Sequence, residues 1–392
     1  MKKNIGNHVP SLVLLTILVG FPQISETVFS PTLPAVASAF VVSMSDVQLV
    51  MSIYFVAFAL GVFFFGRLSD WIGRRKAMLC GLFFYFIGSV LCLLAKEMDV
   101  LLVARFVQAF GASVGSVITQ TILRESFSGV QRHQRFAQIS AALAFTPAIG
   151  PLIGGFTDYY VGFKWVFVLL IFMSIFVFCY AFFRLPETVQ LPLTIQPIRP
   201  IITRMWRNSR LWYYGVLIGG INGLLFSYYT EAPFIFTQLF ELTSMSYGLL
   251  GILVACATIA GAYLSKYLVS KVVPEKIILL GIAITLLGVV LSASVVLLPA
   301  TIQMSAMLMS IFVLLFGMGT ALPNCLSLAL VDFQDVLGSA SALFSLGYYL
   351  VVSLVIYGMS IWHNGTLLAM PLYFIFISLV LFIVSLQVWR KI

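Results

Sequence analysis

Gly66-Arg67-Leu68-Ser69-Asp70-Trp71-Ile72-Gly73-Arg74-Arg75-Lys76 is a short basic stretch set between two long apolar runs, 45–66 and 77–95. Each run is close to the roughly 20 apolar residues that a helix needs to cross the hydrocarbon core of a bilayer. The stretch therefore reads as a tight turn between two membrane spans. Gly66 allows close helix approach, Gly73 allows the turn itself, and Asp70 is placed to pair with an arginine or cap a neighbouring helix. Arg74 and Arg75 serve either as switch residues or only as topology signals.

Outward from this turn, apolar runs recur along the whole chain, near 10–31, 99–121, 136–157, 163–184, 211–231, 246–265, 277–298, 303–323, 337–360 and 367–388. With the first two, they predict an all-α integral membrane protein of twelve spans. The composition agrees: 61% of residues are hydrophobic, only 9% are charged, and the mean hydropathy is +1.08. Soluble domains usually carry about 25% charged residues. The first run continues through Glu26 without a small-residue cleavage site, so it is expected to be retained.

The net charge of +9 does not point to nucleic acid, because the basic residues sit in alternating loops. Lys and Arg collect in the segments on one side, while the other side keeps only Lys96 and Lys164. That asymmetry predicts both termini in the cytoplasm. The five cysteines fall within spans, with no CxxC pair and no clustered histidine, and read as packing residues.

A polar interruption with four prolines and several arginines splits the spans six and six. It predicts a bundle over 1–184, a cytoplasmic linker over 185–210 and a second bundle over 211–392. Leu68-Ser69 after span two and Leu264-Ser265 after span eight, each followed by basic residues, echo each other weakly. Two similar bundles related by a pseudo-two-fold axis suit a central site that opens alternately to either side. Asp332 and Asp335, opposite in sign to the basic loops, are placed to meet the linker arginines.

The turn at 66–76 matches the GxLaDrxGRR loop signature, and the chain resembles the major facilitator superfamily. Arg105-Phe106-Val107-Gln108-Ala109-Phe110-Gly111 is similar to its RxxQG signature, with one residue inserted before the glycine. Gly150-Pro151-Leu152-Ile153-Gly154-Gly155 is similar to the GPxxGG signature of its proton-coupled antiporters, and Pro186-Glu187-Thr188 follows span six as in many drug exporters. Gly319-Thr320-Ala321-Leu322-Pro323-Asn324 and Gly338-Ser339-Ala340-Ser341-Ala342 extend the likeness to the twelve-span drug:proton antiporters, and within them to the bicyclomycin and chloramphenicol resistance exporters. The resemblance implies the major facilitator fold, a bacterial cytoplasmic membrane, and multidrug efflux of small amphiphilic or cationic compounds by proton antiport. A dedicated carrier of one metabolite, such as a siderophore, nucleoside or sugar derivative, is the alternative. It further implies no cofactor beyond the coupling proton, and a monomer is expected.

The span-five glycines have a physical reading of their own. Gly150 and Gly154 lie four apart on one helix face, while Pro151 leaves a carbonyl near 147 without its donor. The helix is thus close-packed and bendable, either a hinge or a seal.

Glu26 and Arg105 are charges inside spans, where an ionised group costs roughly 2.5–3.5 kcal/mol on insertion scales. At about 1.5 Å per residue, Glu26 lies roughly 24 Å from a start near Pro10 and Arg105 roughly 9 Å from one near Asp99, which puts them at similar depth. The resemblance places spans one and four on a common cavity wall, and Glu26 where the subgroup usually has aspartate, before Phe29-Ser30-Pro31-Thr32-Leu33-Pro34. Burial disfavours the ionised carboxylate and a nearby arginine favours it. Glu26 is thus a candidate proton carrier and cation ligand tuned by Arg105, or else half of a structural ion pair.

Arg105, Gln108, Ala112, Gly115 and Thr119 form a polar, small-residue stripe at helical spacing. Asn222, Phe226 and Tyr229 share a face of span seven. Glu231 follows, where the subgroup more often has a small residue, and it marks either a second carboxylate of the cavity or the water interface. Tyr54, Phe58, Phe226, Tyr229, Phe344 and Tyr348 are candidate pocket aromatics. An enzyme is not expected, since the three histidines are scattered at termini and loops. A channel filter and a nucleotide-binding loop are likewise not seen.

Overall fold

Each apolar run folds as a helix, because only hydrogen bonds within the segment can satisfy backbone groups in lipid. The computed structural model describes residues 10–390 apart from 128–130, 132–133, 136–137, 140–141 and 189–197. The first bundle holds α1 (Leu12–Thr27), α2 (Leu33–Phe40), α3 (Met44–Ile72), α4 (Arg74–Leu94), α5 (Met98–Ser126), α6 (Thr146–Val161) and α7 (Lys164–Arg184). A linker helix, α8 (Ile198–Arg207), leads to α9 (Ser209–Phe234), α10 (Ser244–Leu268), α11 (Pro274–Ser294), α12 (Ala300–Leu328), α13 (Leu337–Trp362) and α14 (Ala369–Arg390).

Among the described residues, ten helices are long and apolar enough to cross a membrane, with α1 and α2 counting as one continuous span from Leu12 to Phe40. The 26-residue α9 and α6, of which 16 helical residues are described, complete the twelve. Span one thus runs on past its expected end at 31. Pro31 and Pro34 fall in the first turns of a 3-10 turn (Ser30–Thr32) and of α2, where a missing N–H leaves nothing unsatisfied. α3 opens with a capping box, in which Asp46 N donates to Ser43 Oγ (3.1 Å) and Ser43 N donates to Asp46 Oδ2 (3.2 Å).

The packing carries the pseudo-two-fold relation. α3 and α4 pack on α5 as α10 and α11 pack on α12, and the bundles meet through two reciprocal pairs, α3 with α13 and α6 with α10. One end of the molecule carries Arg67, Arg74, Arg184 and the linker; we call it the basic end. The far end carries the turns at Ser43, Gly162 and His363.

The expected linker contains α8, which buries Ile201 and Met205. Its attachment uses one of the two expected aspartates. Asn208 Nδ2 donates to Asp332 Oδ2 at 3.0 Å, Arg204 donates to the Asp332 carbonyl, and its guanidinium lies 4.8 Å above the Phe333 ring. The Asp335 side chain and linker residues 189–197 lie outside the described residues.

Candidate functional site

Glu26 sits at the last turn of α1, 4% exposed, beside the break that Pro31 and Pro34 impose. Its carboxylate has no hydrogen bond or ion pair among the described residues. It lies within Coulombic reach of Arg105 and Tyr54 of its own bundle and of Tyr348 and Tyr349 of the other. Glu26 thus has charged and aromatic neighbours in both bundles.

Arg105 is fully buried on α5. Its Nη1 donates to Gln108 Oε1 at 2.5 Å, and Gln108 Nε2 in turn donates to Ser89 Oγ at 2.8 Å. The guanidinium is sandwiched by rings, 4.7 Å from the Phe29 centroid and 4.5 Å from that of Tyr54. The two charges share a wall but do not form the ion pair that a purely structural role requires. Arg105 Nε and the Tyr54 hydroxyl are both buried without a partner. Together with Glu26 they make a polar pocket with unfilled hydrogen-bonding capacity, and buried polar groups seldom stay unsatisfied.

Aromatic rings close this pocket across the seam. Phe55 packs on Phe226 at 4.4 Å, Phe58 on Tyr349 at 4.9 Å, and Tyr349 on Tyr348 at 4.4 Å. Tyr54 and Tyr348 thus lie near Glu26, and Phe226 joins the same aromatic layer through Phe55. Asn222 stands apart, since its Nδ2 donates to its own helix at Ile218 O (2.8 Å), whereas Phe344 packs on Tyr348 at 5.7 Å and both rings also line a crevice beside α8.

The far end holds a second polar centre. Glu231, 1% exposed, accepts from Gln48 Nε2 at 2.6 Å, and His363 Nδ1 lies 2.9 Å from both its oxygens. Glu231 is therefore buried and shared between bundles, not exposed at a water interface. His363, read from sequence as an isolated loop residue, is its partner. Further bonds cross the seam in the same half. Ser30 donates to the Tyr229 carbonyl and shares a hydrogen bond with Tyr247 Oη (3.1 Å), and Tyr229 Oη donates to Pro147 O (3.1 Å). Ser244 Oγ donates to Asp158 Oδ2 (2.5 Å), and Ser353 Oγ to Ser52 O (2.8 Å).

The span-five glycines serve two interfaces. A Cβ at Gly150 would overlap Thr27, and one at Gly154 would overlap the Val28 carbonyl, so this face lies directly on the end of α1 next to Glu26. Gly155 points the other way, against Ser244 and Gly248 of α10 in the second bundle. Pro151 lies on that side too, its carbonyl 2.6 Å from where a Gly248 Cβ would be. The motif thus joins the end of α1 to the bundle interface through backbone contact.

At the basic end, Gly73 has φ 94°, a conformation that side chains rarely adopt, and a Cβ there would strike the Glu187 carboxylate. Arg74 is buried and donates to Asp70 (2.6 Å), Ser69 Oγ (2.7 Å) and Glu125 (2.6 Å). Arg75 Nη2 donates to Phe182 O at 2.6 Å, while the Arg74 and Arg75 amides donate to Glu187. These bonds knit α3, α4, α5 and the end of α7 within the first bundle. Gly66 approaches the second bundle, 3.7 Å separating its would-be Cβ from Ala342. Arg74→Ala is expected to cost about 2 kcal/mol, the worth of a charge-assisted hydrogen bond between groups the arginine alone neutralises. A lower melting temperature of the purified protein, with Arg74→Lys intermediate, checks this; an unchanged value refutes it.

The profile of the Major Facilitator Superfamily matches residues 15–356. An uncharacterized transporter of Rickettsia felis is 33% identical over 369 residues, covering 92% of this chain and 91% of its own. A chloramphenicol resistance protein of Pseudomonas aeruginosa is 27% identical, with 83% of this chain and 78% of that protein covered. Among solved structures, the partially occluded inward-open xylose transporter XylE of Escherichia coli superposes with a TM-score of 0.76 at 13% identity, covering 97% of this chain and 96% of that one. With twelve helical spans in two pseudo-symmetric bundles and a family match over most of its length, this chain belongs to the major facilitator superfamily of membrane transporters.

Proposed function

We propose that this transporter exports small amphiphilic or cationic organic compounds in exchange for protons, with Glu26 as the coupling carboxylate. The observation that carries the reading is the buried Glu26 carboxylate, which has no hydrogen-bond or ion-pair partner among the described residues and lies near an arginine and a tyrosine with unfilled bonding capacity. A carboxylate with no fixed partner can exchange a proton for a cation as access alternates. One already locked into hydrogen bonds, as Glu231 is to Gln48 and His363, must first break them.

Arg105, held by Phe29 and Tyr54, supplies a fixed positive charge near Glu26. Tyr54, Phe226 and Tyr348 give the site apolar walls suited to an amphiphile. The relatives named for chloramphenicol, bicyclomycin and multidrug resistance support export of such compounds. On this reading the protein lies in a bacterial cytoplasmic membrane with the basic end inside, as the loop charges favour.

The test is substrate-driven proton movement in proteoliposomes. Adding chloramphenicol, or a member of a panel of lipophilic cations, to vesicles with an imposed pH gradient should release protons in step with substrate transport. Transport that persists unchanged after an uncoupler removes the gradient overturns proton coupling. Transport of one metabolite and none of the panel overturns the substrate class.

A further inference from the structure

A cavity of about 280 Å3 opens between α8, α9 and α13 at the basic end, walled by side chains such as Met205, Trp206, Trp212 and Phe344. Two glycines keep it open. A Cβ added at Gly347 would meet nothing within 4 Å, and one at Gly215 would only just touch Phe344. The mouth opens beside an exposed apolar stripe. Gly347 continues the side of α13 that carries Leu350, Leu354, Tyr357 and Ile361, spaced three and four apart, with Leu354 and Ile361 each 67% exposed.

The linker helix that supplies Ile202, Met205 and Trp206 to the cavity carries a different chemistry next to that lining. α8 exposes Ile202 and Trp206 on one stripe, and Arg199, Thr203 and Arg207 on the stripe beside it. Trp206 and Trp212 meet edge to face at 5.0 Å, and Trp212 Nε1 donates to Trp206 O at 3.1 Å, which fixes the rim. Arg204 is committed to Asp332, and Arg210 approaches Glu275 at 3.8 Å. Arg199 and Arg207 form no ion pair among the described residues. A short helix with apolar and tryptophan residues on one side and free arginines on the other is suited to the boundary between headgroups and acyl chains. Water has little reason to fill a crevice so poor in polar partners.

We propose that this crevice binds a membrane phospholipid with an anionic headgroup, one acyl chain lying against Gly347 and Phe344 and the phosphate resting on Arg199 and Arg207. Charge complementarity selects this occupant over a zwitterionic lipid. Two arginines near a membrane surface favour the anionic lipid by roughly tenfold or more. The bound lipid joins the linker helix to α13, one of the helices that cross to the first bundle.

The test uses the full-length protein in nanodiscs, with bromine-labelled acyl chains as quenchers of tryptophan fluorescence. Brominated phosphatidylglycerol should quench at roughly tenfold lower mole fraction than brominated phosphatidylcholine. Replacing both arginines, Arg199→Gln with Arg207→Gln, should bring the two curves together. Both arginines are exposed, so the fold should survive. Gly347→Leu, which fills the cavity from its open side, should remove the high-affinity phase for the anionic lipid while the circular dichroism stays unchanged. Superimposed curves for the two lipids in the unaltered protein overturn the proposal. So does an anionic preference that survives both sets of variants, or relief of quenching by a transported substrate at constant lipid, which would make the crevice a substrate portal.

Discussion

Glu26→Gln abolishes proton-driven accumulation while leaving counterflow intact: that is the result expected if Glu26 couples transport. Glutamine has the shape of the protonated acid and cannot lose the proton, so the variant is fixed in one of the two states the cycle needs. For an uncharged substrate exchanged for one proton, one charge crossing 100 mV gains about 2.3 kcal/mol, which sustains roughly a fiftyfold substrate gradient. In the variant the gradient should fall to about unity in reconstituted vesicles. Exchange of labelled for unlabelled substrate at zero driving force should continue at a comparable rate. The same substitution should not lower thermal stability, because the carboxylate it removes has no bonding partner among the described residues. A variant that still concentrates substrate shows that the coupling acid lies elsewhere.

Glu231 is expected to behave in the opposite way. Glu231→Ala removes the common acceptor of Gln48 and His363 and leaves two buried donors facing a void, at a cost of about 2–4 kcal/mol. The melting temperature in detergent should fall by several degrees, and the far end should become more accessible to a thiol reagent at a cysteine placed at Ser43. Glu231→Gln keeps one acceptor oxygen and should recover much of the stability. If Glu231 only ties the bundles together, both variants retain proton release on substrate addition. Loss of that release in Glu231→Gln, with a normal melting curve, would transfer the coupling role from Glu26 to Glu231.

The contrast between these residues marks how far the sequence could be read. The spans, their even number and the turn at 66–76 follow from periodicity and length, because lipid leaves the backbone no alternative to helix. Gly73 was legible as a turn residue and takes a positive φ. Similar depth for Glu26 and Arg105 follows from counting residues along two helices. Their azimuth does not, so the aromatic sandwich around Arg105, and with it the absence of an ion pair, required the fold.

The Gln48, Glu231 and His363 cluster was out of reach for a stronger reason. Its members lie 183 and 132 residues apart, and only the pairing of α3 with α13 and α9 brings them together. Helix α8 was obscured by the prolines and arginines around it. The spacing of Ile198, Ile201, Ile202 and Met205 was the available signal.

The hydrogen bonds across the far end also limit how the molecule can open. Six described bonds join the bundles there, counting both made by Ser30. At about 0.5–1.5 kcal/mol each they amount to several kcal/mol, more than one charge gains from 100 mV. A concerted rupture would make every turnover wait for a rare fluctuation. Opening in sequence, like a zipper released tooth by tooth, needs only one bond's worth of energy at a time. The backbone contact of Gly155 with Ser244 and Gly248 provides the runner along which the teeth part. Any single tooth made much stronger, for example by an engineered disulfide between Gln48 and Glu231 positions, should jam the slide with the basic end still free to exchange its contents.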